Sequence, residues 1–262
     1  MTTADGDLAY VQGGEGTPLV LLHAFPFSRQ MWRHQYDGLT THVRLLTPDL
    51  HGFGESPLST RPPDLGVMAD GVLALLDRLR LDRVVLGGLS MGGYVAMEVL
   101  RRRPAVVGGL VLADTKASAD PEEGADNRRR MADLLEQRRS PRPLVHDVLP
   151  TLVSDTTRQN RPDTVAWLRD IVESTDPLAA AWAQRAMAAR PDSFETLRQV
   201  RVPTLVLVGD EDRLSPPSDA EAMVRAVPGA QIAVLAGAGH LSAAEAPAEF
   251  NSLVSDFVLE MG

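Results

Sequence analysis

The chain has 262 residues, no cysteine, a formal net charge of −9 and an apolar fraction of 44%, which suits one large core domain with room for an insertion. The acidic balance, with both signs mixed along most of the chain, argues against nonspecific nucleic-acid binding, because a phosphate backbone attracts clustered Lys and Arg. The absence of cysteine excludes disulfides, thiol nucleophiles and Cys-ligated metals.

The start, Met1 to Tyr10, is polar and acidic and lacks the basic residues and apolar run of a signal peptide. No stretch approaches the ~18 apolar residues of a membrane span. A cytoplasmic protein with no membrane partner is expected. Leu19–Leu22 reads as a strand, Ser28–Leu39 as a helix and Val43–Thr47 as a strand. Met68, Val72, Leu75, Leu76 and Leu79 follow helical spacing. Val84–Gly88 is a strand, and Val95, Ala96, Val99 and Leu100 continue as a helix stopped by Pro104. Leu110–Ala113, Thr204–Val208 and Ile232–Leu235 are further strands, and Phe250, Leu253, Val254, Phe257 and Val258 mark a last amphipathic helix. Apolar strands alternating with helices predict an α/β fold: a mostly parallel, doubly wound sheet covered on both faces.

The alternation breaks between Ser118 and Val200. Helical patterns there are split by Pro141, Pro143, Pro150, Pro162, Pro177 and Pro191, which predicts a helical cap at 118–200 inserted into a core of 1–117 and 201–262. The Arg128-Arg129-Arg130 run reads as a solvated helix face.

Gly88-Leu89-Ser90-Met91-Gly92 follows a strand and precedes a helix, the context of a nucleophile elbow. Small residues relieve crowding in that tight turn, and Ser90 projects from the sheet end. The Met91 N–H lies at a helix start, where donors are free and the dipole favours negative charge.

With these residues the sequence resembles the α/β-hydrolase family over nearly its whole length. His23-Ala24-Phe25-Pro26 is similar to the family's oxyanion loop, with Ala24 in place of the usual glycine. Asp49-Leu50-His51-Gly52-Phe53-Gly54-Glu55-Ser56 resembles the loop after the next strand, with His51 in place of a common arginine. Gly209-Asp210-Glu211-Asp212 looks like the acid turn, and Gly239-His240 like the histidine loop.

The chain order Ser90, Asp212, His240 matches that expected for the fold. A serine hydroxyl needs a base, and an imidazole needs a carboxylate to hold its tautomer. His240 is the expected base and Asp212 the expected acid. Asp114, at the end of Leu110–Ala113, is the rival; Asp210 and Glu211 read as turn and surface groups. The oxyanion hole is expected to use the backbone N–H groups of Met91 and Phe25. His23 reads as a loop-orienting residue, and His34, His42 and His146 as surface residues.

No dinucleotide or phosphate loop is evident, and the only lysine is Lys116. Asp49 and His51 lack a partner cluster of ligand spacing, so neither metal nor cofactor is implied. The resemblance implies a small-molecule ester or lactone substrate, near esterases and 3-oxoadipate enol-lactonases. Cofactor-free haloperoxidases and small-ligand receptors of the same fold are the alternatives. A dehalogenase would need an aspartate at position 90. Carbon–carbon bond hydrolases often have a more Gly-rich oxyanion loop. Phe25 and Met91 are expected on the pocket floor. Trp182 and Met187 are the cap residues expected in its wall, chosen from the cap's large apolar residues, which include Trp167 and Phe194. An apolar pocket would favour neutral acyl groups, and an inward basic residue a carboxylate-bearing lactone.

Overall fold

The computed structural model describes residues 7–261; the first six residues of the polar start, Met1–Gly6, lie outside them. Its strands are β1 (Tyr10–Gly13), β2 (Pro18–Leu22), β3 (Arg44–Pro48), β4 (Val84–Leu89), β5 (Val107–Ala113), β6 (Thr204–Gly209) and β7 (Gln231–Leu235). They form one sheet in the order β1-β3-β2-β4-β5-β6-β7. β1 is antiparallel to β3 and every other pair is parallel. The central strands β4 and β5 are buried along their whole length. That burial is why they read as unbroken apolar runs.

The helices are α1 (Arg33–Leu39), α2 (Leu65–Arg78), α3 (Met91–Arg102), α4 (Glu122–Arg138), α5 (Leu149–Leu152), α6 (Asp155–Asn160), α7 (Pro162–Glu173), α8 (Pro177–Ala188), α9 (Phe194–Arg198), α10 (Pro217–Ala226), α11 (Ser242–Glu245) and α12 (Pro247–Leu259). The expected helix over Ser28–Leu39 is divided, with a tight 3₁₀ turn at Arg29–Trp32 preceding α1. Trp32 packs near Phe250, 6.1 Å between ring centres, and so ties this segment to α12. The sheet's helices fall into two contacting groups, α1 with α12 and α2–α3–α9–α10. Two such groups are what a parallel sheet covered on both faces requires.

Between β5 and β6 the chain is helical, from α4 to α9, with a π-helical turn at Leu144–Val148. α4 and α8 pack along each other. α9 lies inside the stretch expected as cap, yet it touches α3 and α10 of the sheet layer. Among the described residues no helix is long and apolar enough to cross a membrane.

Registers Leu22↔Gly88, Leu89↔Ala113 and Ala113↔Leu207 bring the carboxyl ends of β2, β4, β5 and β6 to one edge. In open α/β sheets that edge is where the connecting loops can converge on a ligand.

Candidate active site

Ser90 stands between β4 and α3 with φ 54° and ψ −113°. This is a strained conformation for a residue with a side chain, costing about 1–3 kcal/mol. The turn is tolerated only with glycines around it. A Cβ on Gly88 would collide with the Gly92 carbonyl, and one on Gly92 would collide with the Leu22 carbonyl oxygen. The strained turn is pinned from both sides. The Ser90 amide donates to the Ala113 carbonyl at 2.9 Å, and the Thr115 hydroxyl donates to the Ser90 carbonyl at 2.8 Å.

Ser90 Oγ lies 2.7 Å from His240 Nε2, and His240 Nδ1 lies 2.8 Å from Asp212 Oδ2. An ionised carboxylate can only accept, so Nδ1 carries the proton and Nε2 is free to accept from the serine hydroxyl. Asp212 Oδ1 accepts from the Leu214 and Ser215 amides at 2.8 and 3.0 Å. Those turn amides fix the carboxylate, and the carboxylate fixes the imidazole. Such a set can remove the serine proton as the oxygen attacks a carbonyl.

Asp114 is buried completely and does not touch His240; its oxygens accept from the amides of Gly209 and Ser242 and from the Ser242 hydroxyl. Burial first, and the nearby Asp212 charge second, push its carboxyl well above the usual carboxylate range. Asp210 accepts from the Gly237 amide at 2.7 Å, and Glu211 pairs with Thr156 of α6. Neither reaches the imidazole.

The histidine loop is also tied to the helical segment between β5 and β6. The His240 amide donates to the Leu152 carbonyl at 3.1 Å and the Ser154 hydroxyl to the Gly237 carbonyl at 3.0 Å. Buried Glu245 accepts from the Ser154 and Leu241 amides at 2.9 and 3.1 Å. Sequence reasoning passed over Glu245, whose signal is a charged residue in an otherwise alanine-rich stretch.

His23 is fully buried. Its Nδ1–H donates to the Ala24 carbonyl and its Nε2 accepts from the Leu50 amide, both at 2.9 Å. Burial holds the ring below its ordinary pKa, against the opposing charge of Asp49. A neutral His23 therefore joins the loop after β2 to the loop after β3. Ala24 donates its amide to Met31 Sδ at 3.2 Å, whereas the Phe25 and Met91 amides donate to nothing among the described residues. Met91 opens α3, and a first-turn amide has no intrahelical acceptor. His42 and His146 are exposed, but His34 is half-buried against Trp167, 5.4 Å between ring centres.

A cavity of about 320 Å³ opens over Ser90 and His240. Phe25 and Met187 line it. The Met91 side chain is buried in the core and does not. Trp182 is not in the cavity wall; its indole N–H donates to the Arg61 carbonyl at 3.0 Å. One face of α4, at Gly124, Asn127, Arg128 and Met131, also lines the cavity. Arg128 thus departs from its solvated neighbours Arg129 and Arg130 and turns inward. Lys116, Asp120 and Tyr94 also belong to the wall.

The sequence pattern of the alpha/beta hydrolase family matches residues 19–253. Among solved structures, a thermophilic esterase from Thermogutta terrifontis, solved with malate bound, is 38% identical with a TM-score of 0.94, covering 97% of this chain and 93% of that one. The enol-lactonase from Burkholderia xenovorans LB400 is 27% identical with a TM-score of 0.88, covering 96% of each chain. The 3-oxoadipate enol-lactonase 1 of Acinetobacter baylyi is 28% identical over 95% of this chain and 91% of its own.

Proposed function

The chain belongs to the alpha/beta hydrolase family, and from that premise we propose that it is a serine hydrolase cleaving a small carboxylic ester or lactone through an acyl-enzyme on Ser90. The observation that carries this reading is the continuous line from Asp212 through His240 to Ser90, with both hydrogen bonds under 3 Å.

Ser90 Oγ attacks the carbonyl carbon while His240 Nε2 takes its proton. The carbonyl oxygen becomes an oxyanion, and the free amides of Phe25 and Met91 donate to it; one such donor is worth about 3 kcal/mol in the transition state. Asp212 stabilises the imidazolium without taking the proton. Collapse of the tetrahedral centre breaks the bond to the alkoxy oxygen, which leaves with the proton held on Nε2. In a lactone that oxygen stays tethered to the acyl group. Water then attacks the acyl-enzyme with His240 again as base, releasing the acid and restoring the Ser90 hydroxyl.

Steady-state hydrolysis of p-nitrophenyl acetate tests the reading. Ser90→Ala should lower kcat by about a thousandfold or more, with an unchanged circular dichroism spectrum. Undiminished turnover in a folded Ser90→Ala protein would overturn it.

A further inference from the structure

The cavity wall beyond the nucleophile carries an unbalanced charge. Lys116 follows Thr115, the residue whose hydroxyl holds the Ser90 carbonyl at 2.8 Å, and its side chain lines the same cavity as Ser90. Its ammonium makes one ion pair among the described residues, a long one of 3.5 Å to Asp120. Asp120 is already engaged. Arg190 grips its two oxygens at 2.6 and 2.8 Å, and Arg128 donates to it at 2.5 Å. Arg190 is further held over the Tyr94 ring at 4.1 Å and by the carbonyls of Met187 and Ser118. Three cations therefore share one carboxylate, and Lys116 is the one least bound.

The other acids nearby do not restore the balance. Asp147 is on the solvent-exposed rim, where water screens it. Asp219 feels the Lys116 charge but forms no ion pair with it. Only 20% of the Lys116 side-chain surface is exposed. An ammonium withdrawn from water and underpaired is costly unless a ligand supplies the missing anion.

We propose that Lys116, with Arg128 beside it, is an anion subsite, and that the ester or lactone carries a carboxylate a few carbons from its scissile carbonyl. This rests on the hydrolase reading of the same site. A compact point charge suits one carboxylate. The cavity's apolar lining, which includes Phe25, Leu152 and Met187, is suited to the connecting methylenes.

Two matched pairs test this. Mono-p-nitrophenyl succinate against p-nitrophenyl butyrate places the carboxylate on the acyl side; β-acetoxypropanoate against propyl acetate places it on the alcohol side. The parent should prefer the anionic member of at least one pair. Lys116→Gln should cut that kcat/KM ratio about tenfold or more, the low end for a hydrogen bond to a charged group, mainly through KM. Lys116→Arg should restore most of it. No anionic preference in either pair, or an unchanged ratio in Lys116→Gln, overturns the proposal. Calorimetric binding of monomethyl succinate to the Ser90→Ala protein gives a readout independent of turnover. Affinity should fall about tenfold when Lys116→Gln is added; equal affinity, or no binding, also overturns the subsite. A protein that binds the monoanion through Lys116 yet hydrolyses neither pair keeps the subsite and refutes the hydrolase reading.

Discussion

Asp114 and Ser242 join the strand beside the nucleophile to the loop that carries the histidine: the Ser242 amide donates to Asp114 Oδ2 at 3.1 Å, and its hydroxyl donates to the same oxygen. The other oxygen of Asp114 accepts from the Gly209 amide at 2.9 Å, at the root of the acid turn. Asp114 thus acts on the spacing between Asp212 and His240, whereas Asp212 acts on the imidazole itself. Asp212→Asn should lower kcat by about 10⁴, the scale set by a wrong tautomer. Asp114→Asn should cost far less. Esterase kinetics on the two variants give the ranking, and the reverse order would move the orienting acid to Asp114.

The buried Asp114 should also leave a mark on stability. Burial, then repulsion from Asp212, raises its carboxyl well above its ordinary 3.8. The folded protein therefore holds this proton more tightly than the unfolded chain. The resulting stability is fully present below the unfolded pKa and is lost as pH rises through the raised folded value. Asp114→Asn removes that dependence. The difference in Tm, parent minus variant, should move against the parent as pH rises above the ordinary carboxylate range. A difference that is flat with pH contradicts the assignment.

Glu245 clamps the segment before α6 onto the histidine loop through the Ser154 and Leu241 amides. Glu245→Ala would leave both donors buried and unmatched, at about 1–3 kcal/mol each. For a chain of this size that lowers Tm by about 4 °C or more. Glu245→Gln keeps one acceptor and should lose less. Thermal unfolding followed by circular dichroism decides, and an unchanged Tm in Glu245→Ala would deny the clamp.

Met187 and Trp182 should separate in a chain-length profile. Met187→Ala widens the cavity and should shift kcat/KM toward longer acyl groups by roughly 1–3 kcal/mol per methylene accommodated. Trp182→Ala removes a side chain that packs outside the cavity wall, so it should reduce stability by about 3–5 kcal/mol and leave the profile in place. An equal shift in the Trp182→Ala profile would place the indole in the substrate path.

The strands β2, β4, β5 and β6 were legible because strands buried on both faces must be apolar without interruption, whereas β7 was legible as the apolar run Ile232–Leu235 although, at the sheet edge, it leaves Ile232 and Val234 exposed. β1 escaped notice because Tyr10–Gly13 is a short edge strand with half-exposed residues at its ends and exposed ones between. Ser90 and His240 were legible because an elbow and a Gly-flanked histidine in that chain order have few other uses. Asp212 and Asp114 both follow strand ends, and only the third dimension shows which oxygen meets the imidazole. Arg128 was hidden in a run of three arginines, since a run carries no phase until the direction of its helix is known. Lys116 stood out in the sequence as the chain's sole lysine, but nothing in its neighbours signals that it faces the nucleophile. Trp182 stands out by its size among alanines; size marks a packed residue and says nothing about which cavity it faces.

The central claim is that the hydroxyl of Ser90 is a nucleophile activated by His240. Its most direct test is intact-protein mass spectrometry after treatment with a fluorophosphonate, followed by peptide mapping. A single adduct on Ser90, absent from Ser90→Ala and strongly slowed in His240→Ala, is the predicted result. A folded parent protein that stays unlabelled, or an adduct that maps to another residue, would contradict the account.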